Sequence, residues 1–297
     1  QAETERLAIR RSVRLRAAIA YLEGVAARDF LVLADSAVAV ARAFAVASVR
    51  RQELGDANVL EPLQAQVAFA EAERERAEAA GRAEASMSAF RTILAFGPEP
   101  PLILADTLTI GPDPPAGAVL EERFAATNAD LAAAEAAVRV SQAERRAVRA
   151  ERLPEFEGEM ALQSIGGEYE YFGGRVGLGI PIARIFNNGP DRAAEAAVML
   201  VEAQRDRILT QLTVDLRRQS AELEAARTQV RFYGEVLVPQ AERAYDIALR
   251  LRREGAASYL EVLQAQTALL ATRQAAVEAR LNAARLQTIL HALTASI

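Results

Sequence analysis

Carboxylates and arginines are the side chains in this 297-residue sequence that could act together chemically. Glu155, Glu157 and Glu159 alternate with Phe156 and Gly158, which stacks three carboxylates on one face of a strand. Around a water-filled lumen that face would form an acidic ring in an oligomer and favour cations; the plainer reading is an exposed strand face. Glu71, Glu73, Glu75 and Glu78 are interleaved with Arg74 and Arg76, as on a solvated helix surface. All 35 basic residues are arginine. Arg51 lies just before Gly55, and Arg252 and Arg253 just before Gly255, where guanidinium groups could make charge-assisted hydrogen bonds to a partner's acceptors. No catalytic set accompanies them: there is no Gly-rich phosphate loop, no nucleophile elbow and no pair of histidines at metal spacing. The missing lysine excludes Schiff-base chemistry, and the missing cysteine excludes disulfides and thiol catalysis. His291 stands alone, so a zinc site is not expected. The residues point to no enzyme, no cofactor and no metal centre.

The elements that hold these residues are organised around a stretch that occurs twice. Gly55-Asp56-Ala57-Asn58-Val59-Leu60-Glu61-Pro62-Leu63-Gln64-Ala65-Gln66 returns as Gly255-Ala256-Ala257-Ser258-Tyr259-Leu260-Glu261-Val262-Leu263-Gln264-Ala265-Gln266, with eight of twelve positions identical at an offset of 200. The phrase Arg91-Thr92-Ile93-Leu94 returns as Gln287-Thr288-Ile289-Leu290 at an offset of 196. The loss of four residues is about one helical turn, so both copies keep the same face inward. Each repeat reads as helix, tight turn, helix: Gly supplies the left-handed residue that ends the first helix. Asn58 and Ser258 can cap the second, and Pro62 falls in its first turn.

Taken in order, residues 1–54 predict one helix with Gly24 as a weak point, and 58–95 the returning arm. Residues 97–117 hold six prolines and three glycines and predict a loop or extended segment. A helix resumes near Val119 and runs to Arg152, with a possible break at Thr127-Asn128, until Pro154 stops it. Residues 155–182 then alternate with period two: Phe156, Gly158, Met160 and Leu162 share one face, and after Gly166-Gly167 so do Val176, Leu178, Ile180 and Ile182, opposite Arg175, Gly177 and Gly179. That is a β-hairpin, suited either to a transmembrane barrel wall or to the surface of a helical core. Asn187-Asn188-Gly189-Pro190-Asp191 predicts a loop ending in a helix cap. From Arg192 to Glu254 a helix of 63 residues would span about 95 Å. Leu209, Leu216, Leu223, Val230, Leu237, Ala244 and Leu251 give it a strict seven-residue seam, and Pro239 should kink it. The last arm runs from Ser258 to about Leu293.

A net charge of −5 with arginines interleaved among acids gives no support for nucleic-acid binding. No uninterrupted apolar run reaches the roughly 18 residues of a transmembrane helix; Val25–Ala47 is broken by Arg28, Asp29, Asp35 and Arg42. No signal peptide is visible at the start. Helices this long outreach one globular core, and a two-stranded hairpin leaves free edges, so identical chains are expected to complete each other's walls.

The pieces together resemble the TolC-type outer-membrane efflux family, with the closest likeness to its cobalt-zinc-cadmium branch. The residues that carry the likeness are Leu237-Val238-Pro239-Gln240-Ala241-Glu242-Arg243-Ala244-Tyr245, Gly255, Tyr259 to Gln266, Leu153-Pro154, Ile180-Pro181-Ile182 and Arg192-Ala193-Ala194-Glu195-Ala196. The resemblance implies a mainly α fold with one β-hairpin. In such a fold, long helical hairpins build an α-helical barrel and the strands enter an oligomeric transmembrane β-barrel in outer-membrane lipid. It divides the chain into a first helical hairpin (1–96), a linker and returning helix (97–153), the β-hairpin (154–186) and a second helical hairpin (187–297). It further implies a homotrimer in the outer membrane and periplasm of a Gram-negative bacterium. Such a trimer passively conducts substrates, heavy-metal cations among them, from an inner-membrane efflux pump and a periplasmic adaptor. The adaptor would meet the tips at Arg51, Gly55, Leu60, Arg252, Arg253, Gly255, Tyr259 and Leu260. Family members carry two strand hairpins, so a signal sequence, an N-terminal helix and one hairpin are expected to be absent from this chain. The competing expectation is a soluble coiled-coil scaffold or an adaptor-like protein, marked by a water-soluble monomer with the hairpin packed on helices.

Overall fold

In a computed structural model the chain is helical apart from one two-stranded antiparallel sheet among the described residues. The structure describes residues 2–55, 58–97, 102–104, 106–112, 117–165, 169–182 and 187–294. They form two compact units, Gln1–Phe124 with Leu216–Ile297, and Ala125–Asp215. The elements in chain order are α1 (Ala2–Glu53), α2 (Leu60–Leu94), α3 (Gly117–Thr127), α4 (Ala129–Ala150), β1 (Glu155–Ile165), β2 (Tyr169–Gly179) and α5 (Gly189–Phe232). A π-helical turn (Tyr233–Leu237), α6 (Val238–Arg253) and α7 (Tyr259–Thr294) complete the chain.

In the first unit α1 packs along α2 and against α7, and α6 packs against α7. Small residues make the close approach possible. Ala27, Ala34, Ala41 and Ser48 are buried at seven-residue intervals on α1, and Ala65, Ala72 and Ala79 at the same interval on α2. A seam of alanines places the two helices nearer than a leucine seam would. Arg76 of α2 reaches Asp35 of α1 at 2.6 Å.

The Pro-rich stretch is more than a connector. Leu104 and Leu108 enter a core with Ala20, Val25, Ala26, Phe90 and Val277. Arg28 donates to the carbonyls of Leu104 and, at 2.8 Å, Asp106, while Tyr21 hydrogen-bonds the Asp106 carboxylate. Buried Arg227 donates to the carbonyls of Gly111 (2.9 Å) and Pro112 (2.8 Å), and the Gly111 N–H donates to Gln287 at 2.9 Å. Residues 102–104 and 106–112 thus form a strap pinned by side chains from distant helices. Gly24, read from sequence as a weak point, is where the strap passes: a Cβ there would lie 2.9 Å from a Leu104 methyl.

The long helix differs from its sequence expectation at both ends of its pattern. It begins at Gly189, not after Asp191: the Asn187 side chain accepts from the Gly189 N–H at 2.9 Å, and the Arg192 N–H donates to the Asn188 carbonyl. Pro190 is harmless in a first turn, so the helix can start three residues early, and Asp191 instead pairs with Arg152 at 2.6 Å. At Pro239 the ring would clash with the carbonyl four residues back, and the nitrogen has no proton to give it. A π turn answers both: the Val238 N–H reaches the Tyr233 carbonyl five residues back.

In the second unit Asn128 breaks α3 from α4 and caps α4, accepting from the N–H groups of Asp130 and Leu131 at 2.9 and 3.0 Å. The strands pair Glu155 with Gly179, Phe156 with Leu178, Glu157 with Gly177, Gly158 with Val176 and Glu159 with Arg175. The turn expected at Gly166-Gly167 lies outside the described residues. Gln142 of α4 and Glu202 of α5 are joined at 3.3 Å.

Averaged over a window, a stretch of α1 within Ile9–Glu53 reaches a mean hydropathy of 1.9 and would cross a membrane by length and composition alone. The averaging tolerates Asp35 and Arg42, which break the run residue by residue.

Candidate functional site

The two glycine turns are built alike and lie together in the first unit. Gly55 and Gly255 hold φ of 79° and 76°, a left-handed conformation that side chains disfavour. At the second turn the Gly255 N–H donates to the Arg252 carbonyl at 3.2 Å and the Ala256 N–H to Leu251 at 2.9 Å, the paired bonds of a Schellman cap. The first turn shows the matching bond from the Gly55 N–H to the Gln52 carbonyl at 3.0 Å. Ala95 ends α2 with the same pair of bonds, but with a Cβ, at φ 55°.

The duplicated glutamates have diverged. The Asn58 side-chain Oδ1 caps α2 by itself, accepting from the Leu60 and Glu61 N–H groups at 3.0 and 3.1 Å. Glu61 is therefore spare, and one of its oxygens accepts from Arg252 and, at 3.2 Å, from Arg51. This ion pair ties the first glycine turn to the second. Ser258 has a single hydroxyl, and Glu261 folds back to complete the cap: its carboxylate accepts from the Ser258 N–H at 2.6 Å and hydroxyl at 2.9 Å. Those bonds from Ser258, the backbone one first, hold the Glu261 carboxyl below its ordinary value.

Five of the eight expected contact residues, Gly55, Leu60, Arg253, Gly255 and Leu260, lie on the surface of the turns. Arg252 and Tyr259 do not. Arg252 is turned onto Glu61, and Tyr259 is buried with Ala45, Ala65, Phe44 and Leu263, its ring 5.7 Å from that of Phe44. Burial, and next the charge of Glu61, raise the Tyr259 hydroxyl above its usual value. Arg51 is half-buried and bonded to Glu61. The sequence missed the exposed apolar residues beside them: Leu54, Val59, Leu63 and Val67. Their signal was present as a spacing of three and four along α2 from Leu60, continued past the turn.

On the hairpin, Phe156, Met160, Val176 and Leu178 form an exposed apolar face; Val176 is 88% exposed. Glu155, Glu157 and Glu159 lie on the other face, opposite Gly179, Gly177 and Arg175, with Arg175 and Glu159 4.0 Å apart. Among the described residues no group of three or more acidic, His or Cys side chains could hold a metal ion.

Long paired helices joined by glycine turns, with one two-faced strand hairpin, make up a fold that known outer-membrane proteins share. Residues 121–296, more than half of the chain, match the profile of the outer membrane efflux protein family; the chain belongs to that family, and its place is the outer membrane of a Gram-negative cell. It is 30% identical over 187 residues to the pyoverdine export outer membrane protein OpmQ of Pseudomonas aeruginosa, an alignment covering 59% of this chain and 38% of OpmQ. The chain thus spans little more than a third of that relative's length. Solved structures share the fold: VceC of Vibrio cholerae has a TM-score of 0.75 at 21% identity, covering 99% of this chain and 72% of VceC. The MtrE outer membrane channel of Neisseria gonorrhoeae, in its open state, has a TM-score of 0.73 at 18% identity, covering 98% and 68%.

Proposed function

We propose that this chain is a wall segment of a passive exit duct. Three copies would enclose a helical tunnel, and their hairpins would enter a transmembrane barrel with the apolar face toward lipid. The observation that carries the reading is the hairpin itself. Its strands are 11 residues long, as a tilted span requires, and they leave a whole apolar face unpaired beside an acidic and glycine face. Facing inward, Glu155, Glu157 and Glu159 outnumber Arg175 and favour cationic cargo, heavy-metal ions included, over anions. OpmQ is named for pyoverdine export, and cargo choice in such a system would rest with the inner-membrane pump. The glycine turns are the proposed docking tips for a periplasmic adaptor, through Gly55, Gly255, Leu60, Leu260 and Arg253, with Leu54, Val59 and Leu63 alongside; Arg51, Arg252 and Tyr259 support them from within. Domain boundaries at 97, 154 and 187 follow from this division of labour.

Two changes separate wall from tip. Replacing Glu155, Glu157 and Glu159 together by Gln should lower the cation preference of single channels, read from the reversal potential across a salt gradient. An unchanged potential would remove these residues from the lumen. Leu60→Asp with Leu260→Asp should abolish export-dependent tolerance at unchanged abundance in the outer membrane; full tolerance would rule the tips out as the docking surface.

A further inference from the structure

Identical side chains in the two copies of the repeat sit in opposite surroundings. Leu263 is half-buried and Gln266 is 7% exposed, whereas their equivalents Leu63 and Gln66 are exposed, Leu63 at 54%. Tyr259 is buried and Leu270 half-buried, whereas Val59 and Ala70 are exposed. Spaced by four, three and four, these positions make one stripe along each helix, covered on α7 and open on α2. A second stripe shows the reverse: Glu61, Gln64 and Ala68 of α2 are half-buried, and Glu261, Gln264 and Ala268 of α7 are exposed. Residues 61 and 63 are about 200° apart on a helix, so the two stripes lie on opposite flanks. The outgoing helices agree: Phe44 and Arg51 of α1 are half-buried, and their equivalents Ala244 and Leu251 of α6 are exposed. Only the face inside each hairpin is the same in both, with Pro62 and Val262 buried alike.

The joint between the two hairpins accounts for these differences. Tyr259 and Leu263 of the second hairpin pack with Phe44, Ala45, Ala65 and Phe69 of the first, and Arg252 of the second reaches Glu61 of the first. One flank of each hairpin is used up in that joint. The flank left over on the first hairpin, with Val59 and Leu63, is equivalent to the one the second has used. The flank left over on the second, with Ala244, Leu251 and Glu261, is equivalent to the one the first has used. Two unlike flanks that fit each other inside one chain can fit again between chains, head to tail, which is the contact that builds rings.

We propose that Val59, Leu63, Gln66 and Ala70 of one copy receive the second hairpin of the next copy, on the template of the joint inside the chain; this rests on the reading that copies assemble side by side. Val59 takes the place of Tyr259, and the next copy's Ala244 that of Phe44. Gln52 takes the place of Arg252, and the next copy's Glu261 that of Glu61. The ring pair and the ion pair that join the hairpins of one chain thus have no counterpart between chains, so residue size and charge tell the two joints apart. Leu60, one residue on from Val59 and about 100° around the helix, stays open for an adaptor, with Val59 and Leu63 at the edge of that contact.

The chain has no cysteine, so introduced cysteines report which surfaces meet. In the full chain, expressed in a Gram-negative host and mildly oxidised, Val59→Cys with Ala244→Cys should give bands at two and three times the mass of one chain on a non-reducing gel, lost on reduction. Either cysteine alone should give none, and Phe44→Cys with Tyr259→Cys should close within one chain and leave its mass unchanged. Absence of the ladder from Val59→Cys with Ala244→Cys would overturn the joint; if a trimeric mass persisted in detergent, the duct reading would still stand. A doubled mass from Val59→Cys alone would also overturn it, because like flanks would then be meeting. A ladder from a chain with no channel conductance would keep the joint and remove the duct.

Discussion

Glu61 is the residue on which the turns depend, because two guanidinium groups converge on one of its oxygens while its own side chain is only 16% exposed. Glu61→Gln leaves Arg252 half-buried without its charge partner and should cost about 2 kcal/mol, seen as a lower thermal midpoint. Glu261→Gln removes only a cap and should cost less. Its sign with pH is defined. The folded Glu261 carboxyl is held low, so its contribution is present above the unfolded value and lost as pH falls through the folded one. A melting series in acid should show a decline that Glu261→Gln makes shallower. In sequence the two glutamates are equivalent; their divergence follows from Asn58, which can accept two N–H bonds, against Ser258, which needs help. The pairing of Glu61 with Arg252, 191 residues away, was not legible, since it depends on how the two helical hairpins pack together and no local spacing sets that. Ala95 carries strain at φ 55° that glycine would not feel, so Ala95→Gly should raise stability by about 1 kcal/mol in urea unfolding.

At the scale of elements, the helices and the hairpin could be read because their punctuation is local. Gly55, Gly255, Asn128 and Pro154 end or start elements through their own backbone preferences, and period-two alternation set the strand faces and hence the pairing of Phe156 with Leu178. The strap was not legible, because what orders it lies elsewhere: Arg28 on α1, Arg227 on α5 and Gln287 on α7 satisfy its carbonyls and N–H groups. A Pro-rich composition says only that no helix forms. Leu104→Ala should therefore behave as a core truncation and cost about 3 kcal/mol, measured as a shift in the denaturation midpoint. A surface-loop residue would move it hardly at all.

For the whole molecule, each unit leaves apolar surface that its own residues do not cover. In the first unit Val32 and Val46 of α1 and Leu60, Leu63 and Val67 of α2 are more than half exposed. In the second, Phe156, Met160 and Val176 of the hairpin and Met199 and Leu200 of α5 are likewise exposed. Scattered exposed leucines are ordinary, but faces repeated at helix and strand spacing need a cover, which on the proposed reading is a neighbouring copy for the helices and lipid for the strands. The measurement that tests this most directly is the mass and single-channel conductance of the chain extracted in detergent from the outer membrane of a Gram-negative host, with and without Val176→Asp. A trimeric mass with a conductance that Val176→Asp eliminates is the predicted result. A monomer that stays in aqueous solution without detergent, with no conductance in either form, would contradict it.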